Sequence, residues 1–446
     1  KLTVQQRWLE AGLAVPEFVP TPLDTPDLPA DHPLRGRALG DLRPWGWSPD
    51  AIERLSPCVQ QLVTSPGWLQ RTATRSENQP NCAPHAVDEP APKAVESAPQ
   101  SIDSIAALGH HDRQVLFRKD HWPAVHRSWE AGPHGMGSPV AEVSRTRRQA
   151  LDAVDRLHGA GQDAVLKAPL GTAGRGAIRV LCAEGEMTKG QRRWLDRCLG
   201  QQGAVVVMPW LDRVVDVSVQ LRVEPDGRIR VLGVTRFLTD GRGQYMGTVL
   251  GRATWGLPPG VQAFWHGARR GGRSVDPHVK DSRSMNVPKT LHAMALHVGA
   301  ALAKTGFAGV AGVDALVYRS GDGALALHPL LEVNPRMTLG HVGLALERRL
   351  APGRSGVLLL VGQRELRQSE SVGFAALVDR LAAALPMDKS MAGLRSGVVP
   401  LADPTTVESA LALWLAAPTG AVLKTALATC GLGLPWAGCW GLAGAG

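Results

Sequence analysis

Residues 327–341 read LHPLLEVNPRMTLGH, an apolar run that carries Glu332 and then Asn334, Arg336 and Thr338 at two-residue spacing. In an extended segment, residues i, i+2 and i+4 point to one side. A carboxylate, an amide, a guanidinium and a hydroxyl would therefore share one face at a strand end. Asp314 lies on the preceding apolar run, AGVDALVYR, and the SGDG turn between the runs folds them into a hairpin. Counting back from that turn brings Asp314 and Glu332 to similar heights on neighbouring strands. Two carboxylates and an amide oxygen form a hard-oxygen set that suits Mg²⁺, an ion held by one or two carboxylates while substrate phosphates complete its octahedron. Without a cation, one carboxyl of such a pair should have a raised pKa. Arg336 would lie where charge must be neutralised beside the metal. Taken singly, Glu332 reads as a solvent-facing residue on an edge strand and Asp314 as part of a turn network; a phosphate-type loop upstream gives the combination its chemical meaning.

That loop is in VLKAPLGTAGRGAIRV, where Lys167 ends one strand and Gly171, Thr172, Gly174, Arg175 and Gly176 precede the next. Glycines let backbone N–H groups turn toward an anion with no Cβ in the way, and a lysine on the strand beneath supplies a point charge for a phosphate. The familiar nucleotide loops do not fit. GxxxxGK[ST] is missing and the chain returns to a strand, GxGxxG fails in spacing, and no HRD or DFG sequence follows. An ordinary Gly-rich hairpin with a surface arginine is the alternative for the loop alone.

The elements that must position these residues alternate between strand and helix from about residue 113. Strands are expected at 163–170, 176–183 and 204–211, with a helix over 188–202 between the last two. A hairpin follows around EPDG at 224–227, then a helix at about 286–305, the SGDG hairpin and a helix at about 340–350. Hairpins among the alternating elements imply α+β layering, not a doubly wound sheet. Residues 1–70 form an N-terminal unit, and 71–112, rich in Pro, Ser and Glu, a linker or long loop. Residues 351–446 form a C-terminal extension with a low-complexity tail, which its glycines and Pro435 make a poor membrane-spanning helix.

Composition narrows the partners. With 44% apolar and 20% charged residues the chain is globular. Its net charge of +9 is scattered, with no aromatic-interleaved basic cluster, so anionic small molecules are a more economical reading than nucleic acid. Six separated cysteines give neither a zinc spacing nor a disulfide framework, so a reduced cytoplasmic setting is expected. The first residues carry no signal-peptide core, and a start at Lys1 leaves a processed or truncated beginning open.

Taken in order, Lys167 with its Gly-rich loop, the strand VVVMPWL, DVSV, and GVDALVY…LLEVNPR resemble the ATP-grasp superfamily over residues 113–350. The resemblance implies an ATP-grasp fold, in which ATP lies between two α+β subdomains: a lid at 163–211 and a catalytic sheet at 212–350. It implies that Lys167 contacts phosphate, that residues 171–176 close over the triphosphate, and that the hinge Met208, Pro209, Trp210 and Leu211 binds adenine. Asp216 would lie near the ribose, Lys119 would match the lysine before the lid, and Asp314, Glu332 and Asn334 would hold one or two Mg²⁺ ions, with Mn²⁺ as a substitute. Arg336 would face the phosphoryl group. The hinge departs from the family in placing Met208 where a glutamate is common. The implied reaction is ATP-dependent ligation: a carboxylate is activated as an acyl-phosphate and joined to an amine, with ADP and phosphate released. Arg236 and Arg242 beside Gly-rich turns are candidates for holding a substrate carboxylate, with solvated loop arginines as the alternative. The same nucleotide half would serve a kinase, a carboxylase or an inactive nucleotide-binding scaffold. Many members dimerise, so a homodimer is open, and no membrane partner is expected.

Overall fold

The computed structural model describes residues 2–11, 116–171, 176–241, 243–267 and 286–433. The 71–112 linker, most of the 1–70 unit, loop residues Thr172, Gly174 and Arg175, Arg242 and the tail from 434 lie outside the described residues.

Helix α1 (Leu2–Glu10) comes first. A 3₁₀ turn at Lys119–His121 runs into α2 (Trp122–Glu130), followed by β1 (Glu142–Ser144) and α3 (Arg147–Gly159). Strands β2 (Ala164–Lys167) and β3 (Ala177–Val180), helix α4 (Lys189–Gln202) and β4 (Val205–Pro209) complete a four-stranded sheet in the order β1-β4-β2-β3. Thr146 and Thr188 start α3 and α4 with capping boxes closed by Gln149 and Gln191, which satisfy otherwise orphaned N–H groups. Both helices pack on the sheet through Ala150, Val154, Leu195 and Cys198 against Leu166, Val205 and Val207. Their apolar stripes explain why this unit closes on one face only.

The second sheet begins with the long hairpin β5 (Asp212–Val223) and β6 (Ile229–Thr239), then β7 (Tyr245–Leu250). Helices α5 (Pro259–His266) and α6 (Val287–Lys304) precede the hairpin β8 (Gly309–Arg319) and β9 (Leu325–Asn334), and α7 (Leu339–Glu347) follows. The C-terminal segment adds β10 (Ser355–Gly362), α8 (Gln363–Gln368), α9 (Phe374–Ala384), β11 (Asp388–Ser390), β12 (Gly393–Pro400), β13 (Ala410–Ala417) and α10 (Gly420–Thr429). These strands extend the same sheet, which runs β11-β12-β13-β10-β7-β6-β5-β8-β9.

The architecture is α+β, as the interleaved hairpins imply. One face of the large sheet is apolar along its length. Val217, Val219 and Leu221 meet Leu291, Met294 and Val298 of α6, while Val357 and Leu359 meet Leu377, Leu381 and Leu427 of α9 and α10. On the other face, Leu346 and Leu350 at the end of α7 cover Leu250, Leu358 and Trp414. The rest of that face, over β5, β8 and β9, carries polar side chains. No helix among the described residues is long and apolar enough to cross a membrane.

Candidate active site

The β8–β9 hairpin opposes Asp314 to Glu332 and Gly312 to Asn334. A ladder counted straight from the SGDG turn, where Arg319 opposes Leu325 and Leu316 opposes His328, would put Leu330 opposite Asp314. An irregularity between Asp314 and Leu316 takes up the extra residues of β9. Pro329 lies in that interval and has no N–H for the ladder, as befits a residue at a bulge. The bulge brings the two carboxylates face to face.

Beside them, the Asn334 amide donates to Asp314 Oδ2 (2.9 Å), and Arg336 donates to Asn334 Oδ1 (3.0 Å) and the Met337 carbonyl (3.1 Å). Burial and the Glu332 charge push the Asp314 carboxyl up to about 7, while Ser218, Arg336 and Asn334 pull it back. The carboxyl is raised, as expected of one member of an acidic pair, but chiefly by desolvation and only secondly by its neighbour.

Two lysines reach this cluster from the other unit. Lys119 Nζ lies 3.5 Å from Glu332 Oε1, and its backbone N–H is anchored on the Pro169 carbonyl (2.8 Å), just before the Gly-rich loop. Lys167, at the end of β2, is half-buried, and desolvation lowers its pKa to about 8; Glu332 and Asp314 act to raise it, Lys119 and Arg213 to lower it. The loop base is closed by a bond from Ala168 N–H to the Gly176 carbonyl (2.8 Å). Gly176 has φ +81°, a conformation that suits glycine, and Gly171 packs against it. Gln202 clips the approach by accepting from Leu170 N–H (2.8 Å).

The hinge joins the two sheets. Met208 and Pro209 are strand residues paired with Val165 and Ala164 of β2. The Trp210 N–H is taken by the Asp163 carbonyl (2.7 Å), so it is not available to a base. The Trp210 ring has the Arg179 guanidinium 4.7 Å and the Arg213 guanidinium 5.9 Å from its centroid. Leu211 separates it from β5. On β5, Asp216 accepts from Thr239 Oγ (2.6 Å) and pairs with Arg213 (3.5 Å). Burial nevertheless raises its pKa. Asp216 lies on the same face as Ser218, which opposes Asp314.

Arg236 goes elsewhere. It opposes Val217 and Val249, and opposed residues share a face of the sheet, so it points to the helix-covered side, away from Asp314. It is 1% exposed, and none of its three nitrogens has a hydrogen-bond partner among the described residues. The Trp255 ring centroid lies 5.8 Å away, and burial lowers its pKa to about 10. Arg236, a candidate for holding a substrate carboxylate, therefore lies on the opposite face of the sheet from Asp314 and is buried, not a solvated loop arginine. His328 is buried, held down to about 3 by burial and by nearby His126, and bonded to the Pro139 carbonyl (2.9 Å). His341 is buried as well, and burial holds it down to about 4; its Nδ1 caps α7 by accepting from Thr338 N–H (3.2 Å).

Among the described residues no group of three or more His, Cys, Asp or Glu gathers to hold an ion unaided. The donor set is two carboxylates and an amide whose oxygen is already shared with Arg336. That set fits Mg²⁺ bound together with a polyphosphate, which supplies the missing oxygens, and not a caged ion.

Ser218 and Gln220, on the same face as Asp216, were not singled out in the sequence. In DVSVQ, the polar residues Asp216, Ser218 and Gln220 alternate with Val217 and Val219, and all five are buried. A polar stripe on a strand with no solvent to face was the available signal.

No family model matches the chain, and no curated protein is significantly similar to it. Solved structures do match. An ADP complex of an N5-carboxyaminoimidazole ribonucleotide synthetase shares 12% identity over 73% of this chain and 73% of that one, at a TM-score of 0.43. The biotin carboxylase of Campylobacter jejuni, in a β,γ-ATP complex, shares 13% over 72% of this chain and 68% of its own, at 0.41. The Staphylococcus aureus N5-carboxyaminoimidazole synthetase with ADP shares 12% over 72% and 75%, at 0.41. Likeness at this level is too low to transfer a function, which must rest on the side chains themselves.

Proposed function

We propose that the chain is an ATP-grasp enzyme of the carboxylate–amine ligase type, using ATP and Mg²⁺. The observation that carries the reading is the meeting of Lys119 and Lys167 with Asp314, Glu332, Asn334 and Arg336 where the two sheets join. Three cations face two carboxylates there, the balance required to hold a polyphosphate and its metal.

Asp314 and Glu332 would hold the ion, with Asn334 orienting Asp314. Held there, the ion would supply neutralisation of the charge on the transferred group. Lys119 and Lys167 would bind phosphate oxygens, exchanging Glu332 for the nucleotide as partner. Arg336, held flat by Asn334 and the Met337 carbonyl, would face the phosphoryl group as a substrate carboxylate attacks it. Residues 171–176 would cover the triphosphate and exclude water, which would otherwise hydrolyse an acyl-phosphate. The Pro209–Leu211 hinge would receive adenine, and Asp216 the ribose. The acid and amine are expected to be amino-acid or peptide-like; Arg236 has no part in this site.

The test is ADP release from the purified chain with ATP and Mg²⁺ over a panel of amino acids, peptides and bicarbonate, with mass spectrometry of the products. A product equal to acid plus amine less water supports ligation. A phosphorylated or carboxylated product moves the chain to a kinase or carboxylase, and nucleotide binding without turnover across the panel makes it a scaffold.

A further inference from the structure

The turn that carries Arg336 is pinned from below by a residue outside the reacting cluster. Gln220 on β5 is 0% exposed and has its side-chain amide fully engaged. Its Oε1 accepts from Thr338 Oγ (2.8 Å), and its Nε2 donates to Ser218 Oγ (2.8 Å) and Thr235 Oγ (3.3 Å). Thr338 is the N-cap of α7 and lies two residues past Arg336; Ser218 stands directly opposite Asp314. One amide thus links the strand position beside the acidic pair to the turn that presents the guanidinium.

The directions of these bonds suit an amide. Ser218 gives its hydroxyl proton to the Val313 carbonyl (3.2 Å), and Thr235 gives its own to the Ser218 carbonyl (3.3 Å). With those protons so placed, both oxygens accept an N–H from Gln220, and Thr338 Oγ has Gln220 Oε1 and His341 Nδ1 (2.9 Å) as acceptors. An amide, with a donor and an acceptor on one group, matches this arrangement. The backbone is cut to the same shape. A Cβ at Gly340 would lie 2.2 Å from Gln220 Nε2, and one at Gly312 2.9 Å from Gln220 Oε1 and 2.9 Å from Thr338 Cγ2.

We propose that Gln220 is a positioning residue for phosphoryl transfer, holding the Arg336–Thr338 turn, and with it the Arg336 guanidinium, at a fixed height over Asp314. The inference rests on the ATP-dependent reading above. Gln220 touches no substrate and acts through Thr338 and Ser218. It therefore governs the charge-neutralising geometry of the transition state more than the ground-state grip on nucleotide, which falls to Lys119, Lys167 and the hinge.

The experiment measures binding of MgADP alone and of MgADP with aluminium fluoride, a mimic of the transferring phosphoryl group, to the full chain and to Gln220→Leu, Gln220→Glu and Thr338→Val. The wild type should bind more tightly with fluoride present. All three variants should lose about tenfold or more of that gain while the affinity for MgADP alone changes by about twofold or less. Thr338→Val removes the same link from the α7 side with little change of volume, so it carries the test should a Gln220 variant fail to fold. Variants that keep the gain, or that lose ground-state affinity in equal measure, overturn the role of Gln220 and leave the enzyme reading intact. A wild type that shows no gain overturns phosphoryl transfer at Arg336 itself, and the inference with it.

Discussion

Replacing Asp314 by Asn should stabilise the nucleotide-free protein while removing its use of metal. The Asp314 carboxyl is raised from 3.8 to about 7, chiefly by burial and secondly by Glu332. A carboxyl held higher in the folded than in the unfolded state favours folding at low pH, and that contribution is lost as pH rises from 3.8 through about 7. Above the upper value the charge costs about 4 kcal/mol at 1.36 kcal/mol per pKa unit. Asp314 is only partly buried by accessible area, so screening reduces this to about 2 kcal/mol. Asn is nearly isosteric, carries no charge, and can still accept the Asn334 amide bond. Denaturant titration of wild type and variant at pH 8 and pH 4, in EDTA, should show the variant more stable by about 2 kcal/mol at pH 8 and nearly equal at pH 4. Adding MgADP should then stabilise the wild type more than the variant, since only the wild type keeps both carboxylates for the ion. A variant less stable than wild type at pH 8, or a difference that does not change with pH, would refute the reasoning.

Other expectations follow from the same contacts. Arg336→Lys keeps the charge but loses the planar fork that spans Asn334 and the Met337 carbonyl, so ATP turnover should fall by about 100-fold with little change in MgADP affinity. Gly340→Ala should destabilise the fold by about 1–3 kcal/mol in chemical denaturation, because the added Cβ runs into the Gln220 amide and overpacking outweighs the better helix propensity of alanine. Arg236→Met replaces a buried guanidinium, which has no hydrogen-bond partner among the described residues, with an apolar side chain of similar length that can still pack on Trp255. It should leave stability unchanged or raise it by about 1–2 kcal/mol, and KM for the acid substrate should not move; a large rise in KM would return Arg236 to the site.

Much of the reacting face could be read from residue spacing alone. Glu332 and Asn334 keep a shared face because they alternate on β9, while Arg336 lies past the strand end and is returned to them by a turn and by its bonds to Asn334 and the Met337 carbonyl. The SGDG and EPDG turns form the hairpins expected of them, and the 188–202 and 286–305 helices fall within a residue or two of Lys189–Gln202 and Val287–Lys304. The exact opposition of Asp314 and Glu332 was less legible, since it depends on a bulge at Pro329 that a straight count from the turn does not contain. Arg236 lies on the strand expected after the EPDG turn; the Gly-rich turns near it suggested a substrate role, while the strand's own alternation decides its face. The C-terminal strands joined the catalytic sheet through pairings of long sequence separation, such as Leu358 with Trp414, which no local pattern discloses. Gln220 went unnoticed for a related reason: its partners come from β5, β6 and α7.

The most direct test is calorimetric titration of ADP into the full chain with Mg²⁺ and with EDTA, repeated on Glu332→Gln. If Asp314 and Glu332 hold an ion together with a polyphosphate, binding will require Mg²⁺ and will weaken by about tenfold or more in the variant. Equal affinity in Mg²⁺ and EDTA, or an unchanged affinity in Glu332→Gln, would contradict it.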